Sequence, residues 1–91
     1  MPQPTTPGRI VLYRLTEDDA RYITQRRHHD GVNGNFVREG DRYPAVVVRT
    51  FAGNPADACN LKVLLDGEDT HWATSRHEGS GPGTWSWPER V

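Results

Sequence analysis

Residues 60–91, NLKVLLDGEDTHWATSRHEGSGPGTWSWPERV, decide the fold that this sequence predicts. They contain all three tryptophans, an Asp66-Gly67 pair and a glycine-rich segment at residues 79–83. Apolar residues occur at every second position from 61 to 65, directly before the Asp-Gly pair. This alternation is typical of a half-buried strand, and Asp-Gly is a strong signal for a two-residue turn. We therefore predict a β-hairpin at the start of this stretch.

Two turn lengths give two registers for the predicted hairpin. A two-residue turn pairs Leu61 with Trp72, whereas a four-residue turn pairs Val63 with Trp72. Both registers place Trp72 on the apolar face and His71 on the opposite face. The sequence therefore predicts that Trp72 belongs to the core.

A final strand follows the glycine-rich segment. Trp85 and Trp87 are two positions apart and fall on one face of this strand, which ends at Pro88. Two interpretations stay open for these tryptophans. They are either core side chains or a platform on which a ligand stacks.

Two more strands and one helix precede this stretch. Residues 9–15 (RIVLYRL) and 43–51 (YPAVVVRTF) are rich in the β-branched and aromatic residues that favour strands. Between them, TEDD at residues 16–19 is close to a capping box, and acidic residues in the first turn suit the helix dipole. We expect a short helix at about residues 16–28, followed by a glycine-rich loop at about 29–42 with a short strand at Phe36–Val37.

These elements predict one small β domain at residues 9–91, after a flexible tail at residues 1–8. The expected fold class is mainly β (α+β): an antiparallel sheet of four or five strands that curls toward an SH3-like barrel, with one short N-terminal helix. Only 34% of the 91 residues are hydrophobic, so the core is thin. Either part of the chain stays loose, or subunits share apolar surface, and we expect a homo-oligomer.

Charge and composition argue against several classes of protein. The formal net charge is −1, which is unlike the basic body of a duplex-binding protein. The single cysteine, Cys59, excludes an internal disulfide and suits a reducing cytoplasm. No stretch approaches the ~20 apolar residues of a membrane span, so we expect no membrane association.

Metal and catalytic patterns are weak. His28 and His29 are adjacent, and neighbouring side chains on a helix point about 100° apart, which hinders binding of one ion by both. Cys59 lacks the paired spacing of a zinc site. The residue types of a Ser-His-Asp triad occur, but without a nucleophile elbow. We therefore predict no catalytic residue, no metal site and no cofactor.

The glycine-rich segment is the candidate ligand site. Closely spaced glycines allow backbone N–H groups to approach an anion. Arg76 adds positive charge before the segment, and Trp85 offers an indole for stacking after it. The predicted ligand is nucleotide-like or otherwise anionic, and the alternative is a flexible connection between strands. The predicted ligand-binding residues are Arg76, His77, Gly81, Gly83 and Trp85.

Three motifs run through most of the chain in order: VLYRLTEDDA, GDRYPAVVVRTF, and NLKVLLDGEDTHWATS with GPGTWSWPERV. In these motifs the chain resembles a group of small, functionally uncharacterised proteins encoded by bacteriophages and prophages of actinobacteria. The resemblance implies a phage or prophage origin and a location in the host cytoplasm. It implies no activity, so no functional residue is transferred from it.

The leading hypothesis is a non-enzymatic phage accessory protein that binds a partner in the host cytoplasm. In its most concrete form, an oligomer sequesters a host signalling nucleotide or another anionic ligand, which would be an anti-defence activity. A structural virion or assembly module is one alternative. A nucleic-acid-binding module, with arginines clustered beside exposed aromatic rings, is another.

Overall fold

The computed structural model describes residues 5–51 and 58–89. In chain order the elements are β1 Ile10–Arg14, α1 Glu17–Asp30, β2 Arg42–Thr50, β3 Cys59–Leu64, β4 Thr70–Arg76 and β5 Trp85–Ser86. Within the described residues the strands form one open antiparallel sheet in the order β4-β3-β2-β1-β5, with β4 and β5 at its edges. The expected class, mainly β with one N-terminal helix, is confirmed.

Helix α1 begins at the predicted capping box. The Thr16 hydroxyl accepts a hydrogen bond from the N–H of Asp19 at 2.9 Å, and the Asp19 carboxylate accepts one from the N–H of Thr16 at 3.0 Å. The helix ends at Asp30, two residues later than predicted. Gly31 follows in the left-handed conformation with φ 69° and donates its N–H to the Arg27 carbonyl, which stops the helix.

One face of the sheet packs against α1 to form the core. Strand residues alternate between this buried face and an exposed face, so that in β2 Val47 is buried and Val48 is exposed. The loop after α1 also contributes, because Val37 is buried, although Phe36 beside it is exposed and no strand forms at Phe36–Val37. The buried side chains of the strands and helix include Val11, Tyr13, Ala45, Val47, Leu61, Val63, Ala20 and Ile23.

The hairpin of β3 and β4 has a register midway between the two predicted ones. Val63 lies opposite His71, and Lys62 lies opposite Trp72. A one-residue shift turns every side chain of a strand to the other face of the sheet. The prediction that Trp72 belongs to the core is therefore wrong: Trp72 is 58% exposed, whereas His71 and Ala73 are buried.

The reason for this register lies in the loop after α1. Gly34 and Gly67 form an isolated antiparallel bridge, and Asn35 donates its N–H to the Asp66 carbonyl at 2.8 Å. The connection between β3 and β4 is thus held by a segment more than thirty residues earlier in the chain. It does not close as an independent Asp-Gly turn, and the local sequence therefore could not fix the register.

Trp85 and Trp87 belong to the core side of the sheet. Trp85 is 1% exposed, and Trp87 is partly buried against the core. Their rings pack edge to face with centroids 5.5 Å apart, a favourable arrangement for two aromatic rings. The core interpretation is therefore confirmed for Trp85, whereas Trp87 packs partly buried against the core.

Two predicted segments lie partly outside the described residues. Residues 1–4 of the predicted tail and residues 52–57 and 90–91 of the predicted β domain are outside them. Within the described part of the tail, Gly8 donates its N–H to the Val47 carbonyl at 2.8 Å. Nowhere in residues 5–51 and 58–89 is there a helix long and apolar enough to cross a membrane.

Candidate functional site

A buried polar network connects α1 with β1 and β4. The carboxylate of Asp19 accepts hydrogen bonds from the Tyr13 hydroxyl at 2.5 Å, from the N–H of Thr16 at 3.0 Å and from Nε2 of His71 at 2.9 Å. A guanidinium nitrogen of Arg76 lies 3.9 Å from the same carboxylate. Three elements of the fold therefore meet at one acidic side chain.

The electrostatics of this network follow from burial and hydrogen bonding. Burial by itself raises the pKa of Asp19, but the hydrogen bonds from His71, the Thr16 N–H and Tyr13 outweigh it and hold that pKa well below its usual range. Burial also raises the pKa of Tyr13, and its hydrogen bond to the Asp19 carboxylate adds to the increase. At neutral pH Asp19 is therefore an anion, and Tyr13 is a neutral donor.

A cleft of about 380 Å³ opens beside the network, between α1 and the edge strand β4. The buried side chains of Asp19 and His71 form its floor, and the exposed ring of Tyr22 lies at its mouth. Trp72 lines the cleft from β4, with its indole on the face of the sheet opposite α1. The lining residues are Asp18, Asp19, Tyr22, Arg26, His71 and Trp72.

Arg26 is held at the wall of this cleft. It donates to the Asp69 carboxylate at 3.1 Å and to the Thr70 carbonyl at 2.7 Å, and its guanidinium carbon lies 5.6 Å from the centroid of the Tyr22 ring. Arg27 binds both oxygens of Asp69 at 2.9 Å, and these hydrogen bonds lower the pKa of Asp69 despite its burial. The cleft thus has a fixed positive charge beside an aromatic ring.

One ring nitrogen at the floor of the cleft has no partner among the described residues. Nδ1 of His71 is buried and makes no hydrogen bond with the described residues. The other ring nitrogen, Nε2, is the one that contacts Asp19. The Tyr22 ring lies against the imidazole with centroids 5.9 Å apart. A buried polar atom without a partner is costly in a folded protein, and it marks this position as a candidate contact for a ligand.

The structure brings three of the five predicted ligand residues together. A Cβ atom on Gly83 would lie 3.3 Å from a guanidinium nitrogen of Arg76, and the indole N–H of Trp85 donates to the Arg76 carbonyl at 3.2 Å. The guanidinium of Arg76 also lies 5.7 Å from the Tyr13 ring centroid. These contacts connect the glycine-rich segment to the buried network.

The other two predicted residues lie at the surface of the same segment. His77 is exposed, and its carbonyl accepts the N–H of Trp85 at 3.1 Å. Gly81 is half-buried, and its carbonyl accepts the Thr84 hydroxyl at 2.6 Å. Because Trp85 is buried, its indole is not open for stacking, which corrects the role that the sequence analysis gave it. Ligand binding by the rest of the segment stays a prediction.

The aromatic residues of the cleft are absent from the predicted site. Tyr22 and Arg26 are four positions apart on α1 and therefore share one helix face, with Asp18 four positions before Tyr22. This spacing was available in the sequence as a signal. Trp72 had no such signal, because the register that exposes it depends on the loop after α1. Among residues 5–51 and 58–89 there is no cluster of three or more His, Cys, Asp or Glu that could hold a metal ion.

No protein-family model, curated protein or solved structure matches the chain. The resemblance to phage and prophage proteins therefore stays a prediction. The candidate site rests on the geometry described above.

Proposed function

We propose that the protein is a non-enzymatic binding module that holds a nucleotide-like ligand in the cleft between α1 and β4. One observation carries the proposal: the Tyr22 ring, 55% exposed, lies in the same cleft as the Arg26 guanidinium, 5.6 Å from its centroid. Stacking of a base on an aromatic side chain contributes about 1–3 kcal/mol. The cleft is also within the range of about 300–1,000 Å³ that is usual for small-ligand pockets.

Each residue of the cleft has a distinct role in this proposal. The ring of Tyr22 stacks on the base, and the guanidinium of Arg26 beside it supplies positive charge for a phosphate. Asp18, whose side chain is 91% exposed, accepts hydrogen bonds from an amino group or a sugar hydroxyl. Asp19 and His71 support the floor, because the Asp19 carboxylate is already occupied by three donors.

The glycine-rich segment is the second candidate for the anionic part of a ligand. The observation in its favour is Nε of Arg76, which is buried without a partner among the described residues. A competing carboxylate lies near both arginines, since Asp19 is 3.9 Å from Arg76 and Asp69 is 3.1 Å from Arg26. The two sites differ in their rings, because Trp85 is buried and Tyr22 is exposed. The geometry therefore favours the cleft, and the two sites are separated by the experiment below.

The proposal also includes the origin of the protein, its location, its oligomeric state and the curvature of its sheet. A phage or prophage origin and a host-cytoplasmic location are supported by the motif resemblance, and a homo-oligomer is supported by the low apolar content of the chain. An SH3-like curl of the sheet is supported by the parallel bridge between Glu78 and Trp85, which brings β5 beside the segment that follows β4. Native mass spectrometry of the purified protein reports the subunit count and any retained ligand.

The test is thermal unfolding of the full chain with a panel of nucleoside monophosphates and the matching nucleosides. A ligand at about one hundred times its Kd stabilises the folded state by about 2.7 kcal/mol, which raises Tm by several degrees in a domain of this size. We expect a nucleotide to produce this shift. We also expect Tyr22→Ser to abolish the shift and Phe36→Ser, at an exposed aromatic residue outside the cleft lining, to preserve it.

Alanine variants of three arginines distinguish the cleft from the glycine-rich segment as the ligand site. Arg26→Ala removes the charge of the cleft, Arg76→Ala removes that of the glycine-rich segment, and Arg21→Ala is the control, since the Arg21 side chain is 57% exposed and lies outside both sites. A nucleotide shift lost in Arg76→Ala and retained in both Tyr22→Ser and Arg26→Ala assigns the ligand to the segment. A panel in which no nucleotide or nucleoside raises Tm contradicts the proposal.

A further inference from the structure

The face of the sheet opposite α1 carries large apolar side chains in contact with water. They alternate along the strands with the buried residues of the core, so they point to the other side of the sheet. Their exposed fractions run from 41% to 58%, so no segment of the described residues covers them. We call this surface the outer face, and its exposed apolar residues are Ile10, Val48, Leu64 and Trp72.

The apolar side chains of the outer face are arranged around one row of neighbours. Ile10 lies opposite Val46, Val46 opposite Lys62, and Lys62 opposite Trp72, so this row crosses four strands. Directly opposed residues of antiparallel strands have Cβ atoms about 4.5–5.5 Å apart. The other two apolar residues lie two positions from Val46 and from Lys62 on the same strands, so Lys62 interrupts the apolar surface. Apolar side chains gathered on one face are typical of an interaction site, whereas single exposed apolar residues are not.

The charges of the outer face have one sign. In the described ranges, the five strands carry no Asp or Glu, and their charged residues are Arg or Lys. Arg14 and Arg42 lie directly opposite each other at one end of the outer face, and Lys62 lies within the apolar row. Exposed acidic residues such as Glu17 and Asp18 lie instead on α1. The outer face is therefore both apolar and cationic.

We propose that the outer face docks a protein segment in which acidic and apolar residues alternate. The apolar side chains of such a segment pack on Ile10, Leu64 and their neighbours. Its carboxylates meet Arg14, Arg42 and Lys62, which form no ion pair within residues 5–51 and 58–89. Electrostatic complementarity of this kind directs encounter and selects the partner. This docking is independent of the ligand in the cleft.

Other occupants fit the outer face less well. Its apolar residues other than Trp72 are aliphatic, so a single-stranded nucleic acid finds one ring there instead of a row of stacking surfaces. A second copy that docks through the same face brings like charges together, and like-charge juxtaposition across an interface is unfavourable. A protein segment with acidic and apolar residues complements both the positive charge and the apolar side chains of the outer face.

The test is selection from a displayed random-peptide library against the immobilised full chain. The matched variant is the double change Lys62→Glu with Leu64→Asp, which reverses the charge and removes an apolar contact without altering Trp72 of the cleft. The control is Arg21→Glu with Phe36→Asp, because it makes the same kinds of change at an exposed cation and an exposed apolar residue that are not on the sheet. Circular dichroism confirms that both variants fold.

We expect enriched peptides that interleave Asp or Glu with apolar residues and whose affinity falls with salt. We expect the Lys62→Glu, Leu64→Asp variant to bind a synthetic copy of such a peptide about tenfold or more weakly and the control variant to bind it like the wild type. Enrichment of basic or uncharged peptides, or undiminished binding by the first variant, overturns the proposal. The proposal is also overturned if the wild type sediments as a dimer and that variant sediments as a monomer. It is overturned as well if the wild type binds oligo(dT) or anionic phospholipid vesicles and that variant does not.

Discussion

Nε2 of His71 lies 2.9 Å from Oδ1 of Asp19, although the two residues are 52 positions apart in the chain. Asp19 belongs to the capping box of α1, and His71 lies on the edge strand β4. The same carboxylate therefore fixes the start of the helix, orients the imidazole and accepts the Tyr13 hydroxyl. This contact holds α1 against the sheet and shapes the floor of the candidate cleft.

Replacement of Asp19 by Asn is expected to destabilise the protein by about 2–4 kcal/mol, because an amide cannot accept from all three donors and leaves buried polar groups unpaired. Urea unfolding of the wild type and the variant measures this change. The control is Asp18→Asn, one residue earlier on the exposed side of the helix, which should change the free energy of unfolding by less than about 0.5 kcal/mol. Equal effects of the two changes contradict the role assigned to Asp19.

Acid should destabilise the protein through Asp19 and Asp69. The pKa of each is lowered in the folded state, whereas an aspartate in the unfolded chain titrates near pH ~4. Their contribution to stability is therefore present above that pH and is lost as the pH falls below it, because the unfolded chain then binds protons that the folded chain does not. The free energy of unfolding, measured from neutral pH to about pH 3, should fall less steeply in Asp19→Asn than in the wild type. Identical slopes would contradict this prediction.

Trp85 and Trp72 should differ in their contribution to stability. Trp85→Ala removes a fully buried ring and should cost about 3–5 kcal/mol. Trp72→Ala removes a ring that is 58% exposed and should cost less than about 1 kcal/mol. Chemical denaturation of both variants measures the difference, and a larger loss for Trp72→Ala would favour one of the registers that the sequence predicts.

Two glycines provide a matched test of the connection between β3 and β4. A Cβ atom on Gly67 would lie 2.6 Å from Cα of Gly34, so Gly67→Ala should destabilise the protein by about 1–3 kcal/mol. A Cβ atom on Gly81 would meet nothing within 4 Å, so Gly81→Ala should be neutral or stabilise by up to about 1 kcal/mol. Thermal unfolding ranks the two variants, and a neutral Gly67→Ala would show that the Gly34–Gly67 bridge does not hold the turn.

Part of the candidate site was predictable from the sequence, for physical reasons that differ between residues. Arg76 and Gly83 do come together, because a strand and the segment that follows it stay close in space. Trp85 was placed in the predicted site by its position in the chain, but burial of its indole is a property of the packed core. Tyr22 and Arg26 share a helix face by their spacing alone, yet only the packing of α1 beside β4 makes that face the wall of a cleft.

The sequence by itself determined the strands and the start of α1. Alternating β-branched residues and the capping box at Thr16 act over a few neighbouring residues, so their signals are complete in the local sequence. Tertiary structure decided the register of β4, the exposure of Trp72 and the burial of His71. The loop after α1 pairs with the turn at Gly67, and a single residue of shift in that long-range pairing determines which face of β4 meets the core.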